Sequence, residues 1–185
     1  MAQPAAEVRR WTREEYEQLA EAGFLRPDER VELIDGIIYE MSPQNSLHAT
    51  ALLNSLRELQ AAFSQGYHLR PQLPLALDSQ SQPEPDLAVV SGHPQEYRTA
   101  HPATAVLVQE ISDSSLKLDR EVKRDLYAEA GIPEYWVLSV GARQLEVFRD
   151  PEGGVYRSRR VLGPEETVTP LAAPDASIRI ADLLP

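Results

Sequence analysis

Cysteine is absent from the chain. Its absence excludes disulfides, thiolate metal sites and cysteine nucleophiles, which leaves carboxylates, hydroxyls and imidazoles to carry any chemistry. No apolar run approaches the roughly eighteen residues that a membrane helix needs, so no membrane partner is expected. The first ten residues also lack the apolar stretch of a secretory signal, which makes the cytoplasm the expected location. Aromatic residues are sparse at 6 %, offering few surfaces on which a sugar could stack. Positive charge is scarce as well: 18 Lys and Arg stand against 29 Asp and Glu, for a net charge of -11. Affinity for nucleic acid draws heavily on Lys and Arg neutralising phosphates. A broad basic face is therefore not expected, although a local one, or an acidic site that loads a cation, is compatible with this total.

What is present fits one domain over residues 1–185 with a core of ordinary size, since 42 % of the residues are hydrophobic. Residues 11–22 read as a helix, with Thr12 as N-cap, Glu15 completing a capping box and Gly23 as the stop. Residues 31–41 read as a hairpin turning at Asp35-Gly36. From 46 to 63, Leu47, Leu52, Leu56, Leu59 and Phe63 recur at helical spacing, the strongest helix signal in the chain. Strands are expected at 67–77, 86–90 and 105–111, a helix at 118–130 stopped by Gly131, and a strand at 134–138. Short strands at 144–149, 155–161, 167–171 and 177–180 follow as a meander. This order points to a central mixed α/β sheet flanked by helices.

Two of the apolar strands each carry an acid. Pro83-Glu84-Pro85-Asp86-Leu87-Ala88-Val89-Val90 holds Asp86, and Val106-Leu107-Val108-Gln109-Glu110 ends on Glu110. A buried carboxylate is costly unless it is protonated, paired or bound to a metal. Magnesium takes hard oxygen ligands and keeps several waters, so two carboxylates can hold it while substrate phosphate completes the shell. Asp86, Glu110 and a lysine, Lys117 or Lys123, form that minimum set, and the Ile111 carbonyl is a further oxygen on the same strand. Such a site would bind Mg2+ or Mn2+ and cleave a phosphodiester.

The same segments resemble the core of the PD-(D/E)XK nuclease superfamily. More narrowly, the chain resembles the Uma-two family of restriction-endonuclease-like proteins over residues 11–184. The matching segments are Val31-Glu32-Leu33-Ile34-Asp35-Gly36, Met41-Ser42-Pro43 with His48 beyond, Pro83-Glu84-Pro85-Asp86-Leu87, and Glu110-Ile111-Ser112 leading to Asp119-Arg120-Glu121-Val122-Lys123. Tyr127-Ala128 and Gly131-Ile132-Pro133-Glu134-Tyr135-Trp136 complete the series. The resemblance implies a restriction-endonuclease-like mixed sheet with an extra N-terminal helix and hairpin. It implies Asp86 and Glu110 as metal ligands, and a nucleic-acid substrate, in the first place DNA. The superfamily places a lysine two residues after the acid, where this chain has Ser112. The resemblance moves that lysine to the following helix, as Lys123, with Lys117 as its rival. Glu32 and His48 become supporting candidates. Ser139 stands where the family commonly has an aspartate.

Each of these residues also has a plainer reading. Asp86 would be a turn acid after a proline, Glu110 a strand-end acid facing solvent, and Lys123 one charge on a solvated helix face. Glu32 would be a hairpin surface residue and His48 a structural histidine. Arg157, Arg159 and Arg160 are the one basic cluster, either phosphate-facing or an exposed strand face. At the level of function, the alternative to an endonuclease is a non-catalytic binding or assembly module on the same fold. A homodimer would suit either. A glycosidase pair fits poorly, because acids on adjacent strands share one side of a substrate whereas sugar hydrolysis needs them on opposite sides.

Overall fold

A computed structural model describes residues 8–26, 28–112 and 118–185. Helix α1 spans Arg13–Glu21 and begins at the Thr12 capping box. There the Glu15 amide donates to Thr12 Oγ1 at 3.2 Å and the Thr12 amide to the Glu15 carboxylate at 3.0 Å. Strands β1 (Val31–Ile34) and β2 (Ile37–Glu40) form an antiparallel hairpin. Its two turn residues, Asp35 and Gly36, have φ of 52° and 70°, the left-handed pair of a tight I′ turn. Gly36 is required twice over, because a Cβ there would lie 2.5 Å from Arg10 Cβ. Helix α2, Ser46–Ala62, is capped by Asn45, whose side chain accepts the His48 amide at 2.9 Å.

The main sheet has six strands: β3 (Tyr67–Pro71), β4 (Leu87–Ser91), β5 (Leu107–Ser112), β6 (Glu134–Ser139), β7 (Gln144–Glu152) and β8 (Val155–Leu162). They lie in chain order, antiparallel throughout except for the parallel pair β5–β6. A parallel pair needs a crossover, and the chain supplies it with a π-helical turn, Leu118–Lys123, running into helix α3, Arg124–Glu129. A small pair, β9 (Thr167–Val168) with β10 (Ile178–Arg179), and a last helical turn, α4 (Ile180–Leu183), close the chain.

Side-chain alternation divides the core in two. Leu87, Val89, Leu107, Ile111, Trp136 and Leu138 face α2 and α4, where they meet Ala51, Leu59 and Leu183. Ala88, Val90, Val108, Tyr135 and Val137 face the other way, against Tyr127 of α3 and Ile132. Each large side chain fully withdrawn from water contributes about 1.5–3 kcal/mol. Among the described residues no helix is long and apolar enough to cross a membrane.

The sequence expectations depart from the structure at element ends. The strand expected over 67–77 stops at Pro71, because Gln72 takes a left-handed φ of 50° and the chain then leaves the ladder. The helix expected over 118–130 starts as a π turn and becomes α-helical at Arg124. The strand expected over 177–180 has two residues and gives way to α4. The expected meander is split: β7 and β8 extend the main sheet, whereas β9 and β10 form a separate pair.

Candidate active site

The site forms where β4 begins and β5 ends, which the antiparallel register places side by side: Leu87 faces Gln109, so Asp86 reaches the level of Glu110 and Ile111. Pro83 and Pro85 hold the approach to β4 extended, delivering Asp86 to the position just before the strand. Two bonds then tie the strands together around the acids. The Asp86 amide donates to Glu110 Oε2 at 3.3 Å, and the Ile111 amide donates to Asp86 Oδ2 at 2.8 Å. The other Asp86 oxygen, Oδ1, lies 3.0 Å from His48 Nε2 and accepts the Gln72 side-chain amide at 3.2 Å.

Glu110 points to the α3 side. Its Oε1 accepts from Lys123 Nζ at 3.0 Å and from the Tyr127 hydroxyl at 3.1 Å. Lys123 Nζ also meets Glu32 Oε1 at 2.9 Å, so one ammonium is shared by two carboxylates. Glu32 arrives through the hairpin, because Leu33 of β1 bridges Gln82 just ahead of Asp86. Its second oxygen accepts the Glu84 amide at 3.1 Å. The four charged groups are withdrawn from water: Glu32 is 1 % exposed, Glu110 and Lys123 4 %, and Asp86 9 %. A cleft opens onto them between the 41–45 segment and Leu118-Asp119, with Arg30 also in its wall.

Burial and charge act differently on each group. Burial, reinforced by the neighbouring acids Asp119, Asp86 and Glu32, pushes Glu110 well above the usual carboxylate range, although Lys123 opposes the shift. Burial would raise Asp86 too. There the hydrogen bond and charge of His48 and the Ile111 amide outweigh it, so Asp86 is held below its ordinary value. Burial works against the Lys123 ammonium, and the Coulomb pull of Glu110, Glu32 and Asp119 overcomes it, so Lys123 is raised and stays charged.

Asp86, Glu110, Ile111, Lys123, Glu32 and His48 thus line one cleft. Lys117, the rival lysine, lies outside the described residues. The basic cluster sits elsewhere, on β8 at the far edge of the sheet. There Arg159 pairs with Glu146 at 2.7 Å and Arg157 with Glu152 at 3.0 Å. Sequence reasoning missed Gln72 altogether and treated Tyr127 only as part of a motif. The four-residue step from Lys123 to Tyr127, one helical turn, was the available signal for the latter.

The donor chemistry fits a hard divalent cation. Glu32 and Glu110 share a single buried ammonium, the Asp86 carboxylate lies beside them at the start of the adjacent strand, and the excess negative charge is what a cation would offset. The ligands are not free, however. Protein donors engage all three carboxylates, and among the described residues no group of three or more His, Asp or Glu is arranged to hold a metal.

The mixed sheet with flanking helices, and acids at the ends of two adjacent strands, is of the restriction-endonuclease-like class. A crystal structure from Anabaena variabilis, described as "a putative nuclease belonging to DUF820", shares this fold. It aligns with a TM-score of 0.72 and 16 % identity over 93 % of this chain and 96 % of that one. No curated protein matches the chain. The model of the Uma2 family, described as "putative restriction endonuclease", matches residues 13–181, and the chain belongs to that family.

Proposed function

We propose that the protein is a metal-dependent endonuclease hydrolysing phosphodiester bonds of nucleic acid, in the first place DNA. Family membership supports the class of reaction. The observation that carries the site assignment is the buried Lys123 ammonium, 3.0 Å from Glu110, whose other oxygen accepts the backbone amide of Asp86. Asp86, Glu110 and the Ile111 carbonyl are the residues that would hold Mg2+ or Mn2+. A divalent cation bound there supplies Lewis-acid polarisation of the phosphoryl group and makes water more acidic.

The chain's own groups do the rest. Lys123 remains protonated, so it acts as a fixed positive charge beside the scissile phosphate and orients the attacking water, rather than removing its proton. Glu32 and Tyr127 hold Lys123 and Glu110 in place. Arg30 and the exposed start of α2 border the path by which a phosphate would enter. Cutting both strands of a duplex calls for two such clefts, which a homodimer would provide.

The test is cleavage by purified protein with Mg2+ or Mn2+ of plasmid, linear duplex, single-stranded DNA and RNA. Asp86→Ala and Glu110→Ala abolish cutting, and Lys123→Ala lowers it about 10²–10³-fold, as loss of one charge-stabilising group does. No cutting of any substrate across a range of salt would refute the proposal. That outcome favours a non-catalytic binding or assembly module, for which the engaged carboxylates and the lack of an arranged metal group among the described residues are the supporting observation.

A further inference from the structure

Gln72 is held in an unusual way. Four non-glycine residues among those described have a positive φ. Asp35 and Arg143 lie in tight turns between paired strands, and Asp150 lies near the end of β7, close to its turn into β8. Gln72, at φ 50°, closes no tight hairpin: the next paired residue of the main sheet is Leu87, fifteen positions on. Left-handed backbone costs a residue with a side chain, and an ordinary connection would place glycine or asparagine there.

What this conformation achieves is a double grip on Asp86. The Gln72 amide donates to the Asp86 carbonyl at 3.1 Å, extending the β3–β4 ladder by one rung, and the side-chain amide donates to Asp86 Oδ1 at 3.2 Å. His48 meets the same oxygen from α2. Oδ2 is met by the Ile111 amide on the neighbouring strand. The carboxylate is thus fixed in rotation by groups from three separate elements. Hydrogen-bond donors that orient a ligating side chain are commonly worth 10–100-fold in metal affinity.

We infer that Gln72 is a positioning residue for Asp86: its strained backbone aims the side-chain amide so that Asp86 presents Oδ2 toward Glu110 and the Ile111 carbonyl. This rests on the metal-site reading above, yet the aiming of Asp86 is a property of the protein alone. Gln72→Gly separates the two. Glycine accepts the backbone conformation without strain and keeps the backbone bond to the Asp86 carbonyl but has no side-chain amide to donate, so folding survives and orientation does not. Gln72→Asn keeps a residue tolerant of φ near 50° with a side chain one methylene too short.

The experiment is a crystal structure of metal-free Q72G together with calorimetric titration of Mn2+ into wild type, Q72G and Q72N. Q72G is expected to melt within about 5 °C of wild type, with the Asp86 carboxylate rotated away from the Ile111 amide. Both variants bind Mn2+ about 10–100-fold more weakly than wild type. An unmoved Asp86 in Q72G, or Mn2+ affinity equal to wild type in both variants, overturns the inference while leaving the metal site standing. If wild type binds no Mn2+ but Asp86 still turns in Q72G, the positioning role stands and the metal reading fails.

Discussion

Replacing Lys123 with methionine isolates the electrostatics of the site. The side chain keeps an unbranched apolar stem one atom shorter, but the ammonium that serves Glu32 at 2.9 Å and Glu110 at 3.0 Å is gone. Both acids are almost fully buried, so two carboxylates are left without their counter-charge. Breaking a buried pair by removing one partner costs about 3–5 kcal/mol. That is a large share of the roughly 5–15 kcal/mol that holds a domain together. For a chain of this size each kcal/mol moves the melting temperature by about 2–4 °C, so K123M should melt about 6–20 °C below wild type at pH 8.

The deficit should shrink in acid. Glu110 is raised above 4.5 in the folded state by its burial, so folding favours the protonated form. A raised carboxylate lowers stability as pH rises from its unfolded value toward its folded one, and the penalty vanishes below both. Removing Lys123 removes the group that opposes the shift, which steepens this dependence. At pH 4 to 5 K123M therefore recovers most of its deficit, and the triple variant with E32Q and E110Q recovers it at pH 8 as well. Lys123 itself is raised, so its own contribution in wild type is constant through this range and is lost only above pH 10.5. The assay is urea or thermal unfolding by circular dichroism at pH 4.5 and 8. A K123M protein as stable as wild type at pH 8, or one whose deficit does not change with pH, would refute the buried three-charge arrangement.

Asp86 has the opposite sign. Its folded pKa lies below 3.8, so its stabilisation is complete above that value and is lost as pH falls further. D86N should therefore flatten the acid limb of the stability curve below about pH 4, which acid titration followed by tryptophan fluorescence reads directly. Glu134 anchors the C-terminal arm: it is fully buried, accepts from Trp136 at 2.9 Å and Arg149 at 2.6 Å, and takes the Leu171 amide at 2.7 Å. E134A should cost about 3–5 kcal/mol and raise hydrogen exchange at Leu171 while leaving the Leu33 amide protected; uniform loss of protection would contradict the anchoring role.

The elements most legible in the sequence are those specified by neighbours along the chain. Thr12 with Glu15, Asp35-Gly36, and the leucines of α2 each state their structure within a few residues, and each stands where expected. The acids on apolar strands were legible for a different reason, since the cost of burying charge marks them as exceptions whatever the topology. Element ends were less legible. Gln72 breaks β3 because of what Asp86 requires fourteen residues later, and no local pattern encodes that. The π turn at Leu118–Lys123 is likewise set by long-range anchors: Tyr135 donates to the Asp119 carbonyl at 2.9 Å, and Arg120 pairs with Glu146 of β7. Such anchors determine how Lys123 is delivered to Glu110, and they are visible only once the sheet is assembled.

The central claim is that Asp86 and Glu110 jointly hold a divalent cation within reach of Lys123. Anomalous diffraction from Mn2+-soaked crystals tests it most directly. The account predicts one strong peak bounded by Asp86, Glu110 and the Ile111 carbonyl on the Lys123 side of the cleft, absent in D86A. A peak elsewhere, or the same peak surviving in D86A, would contradict it.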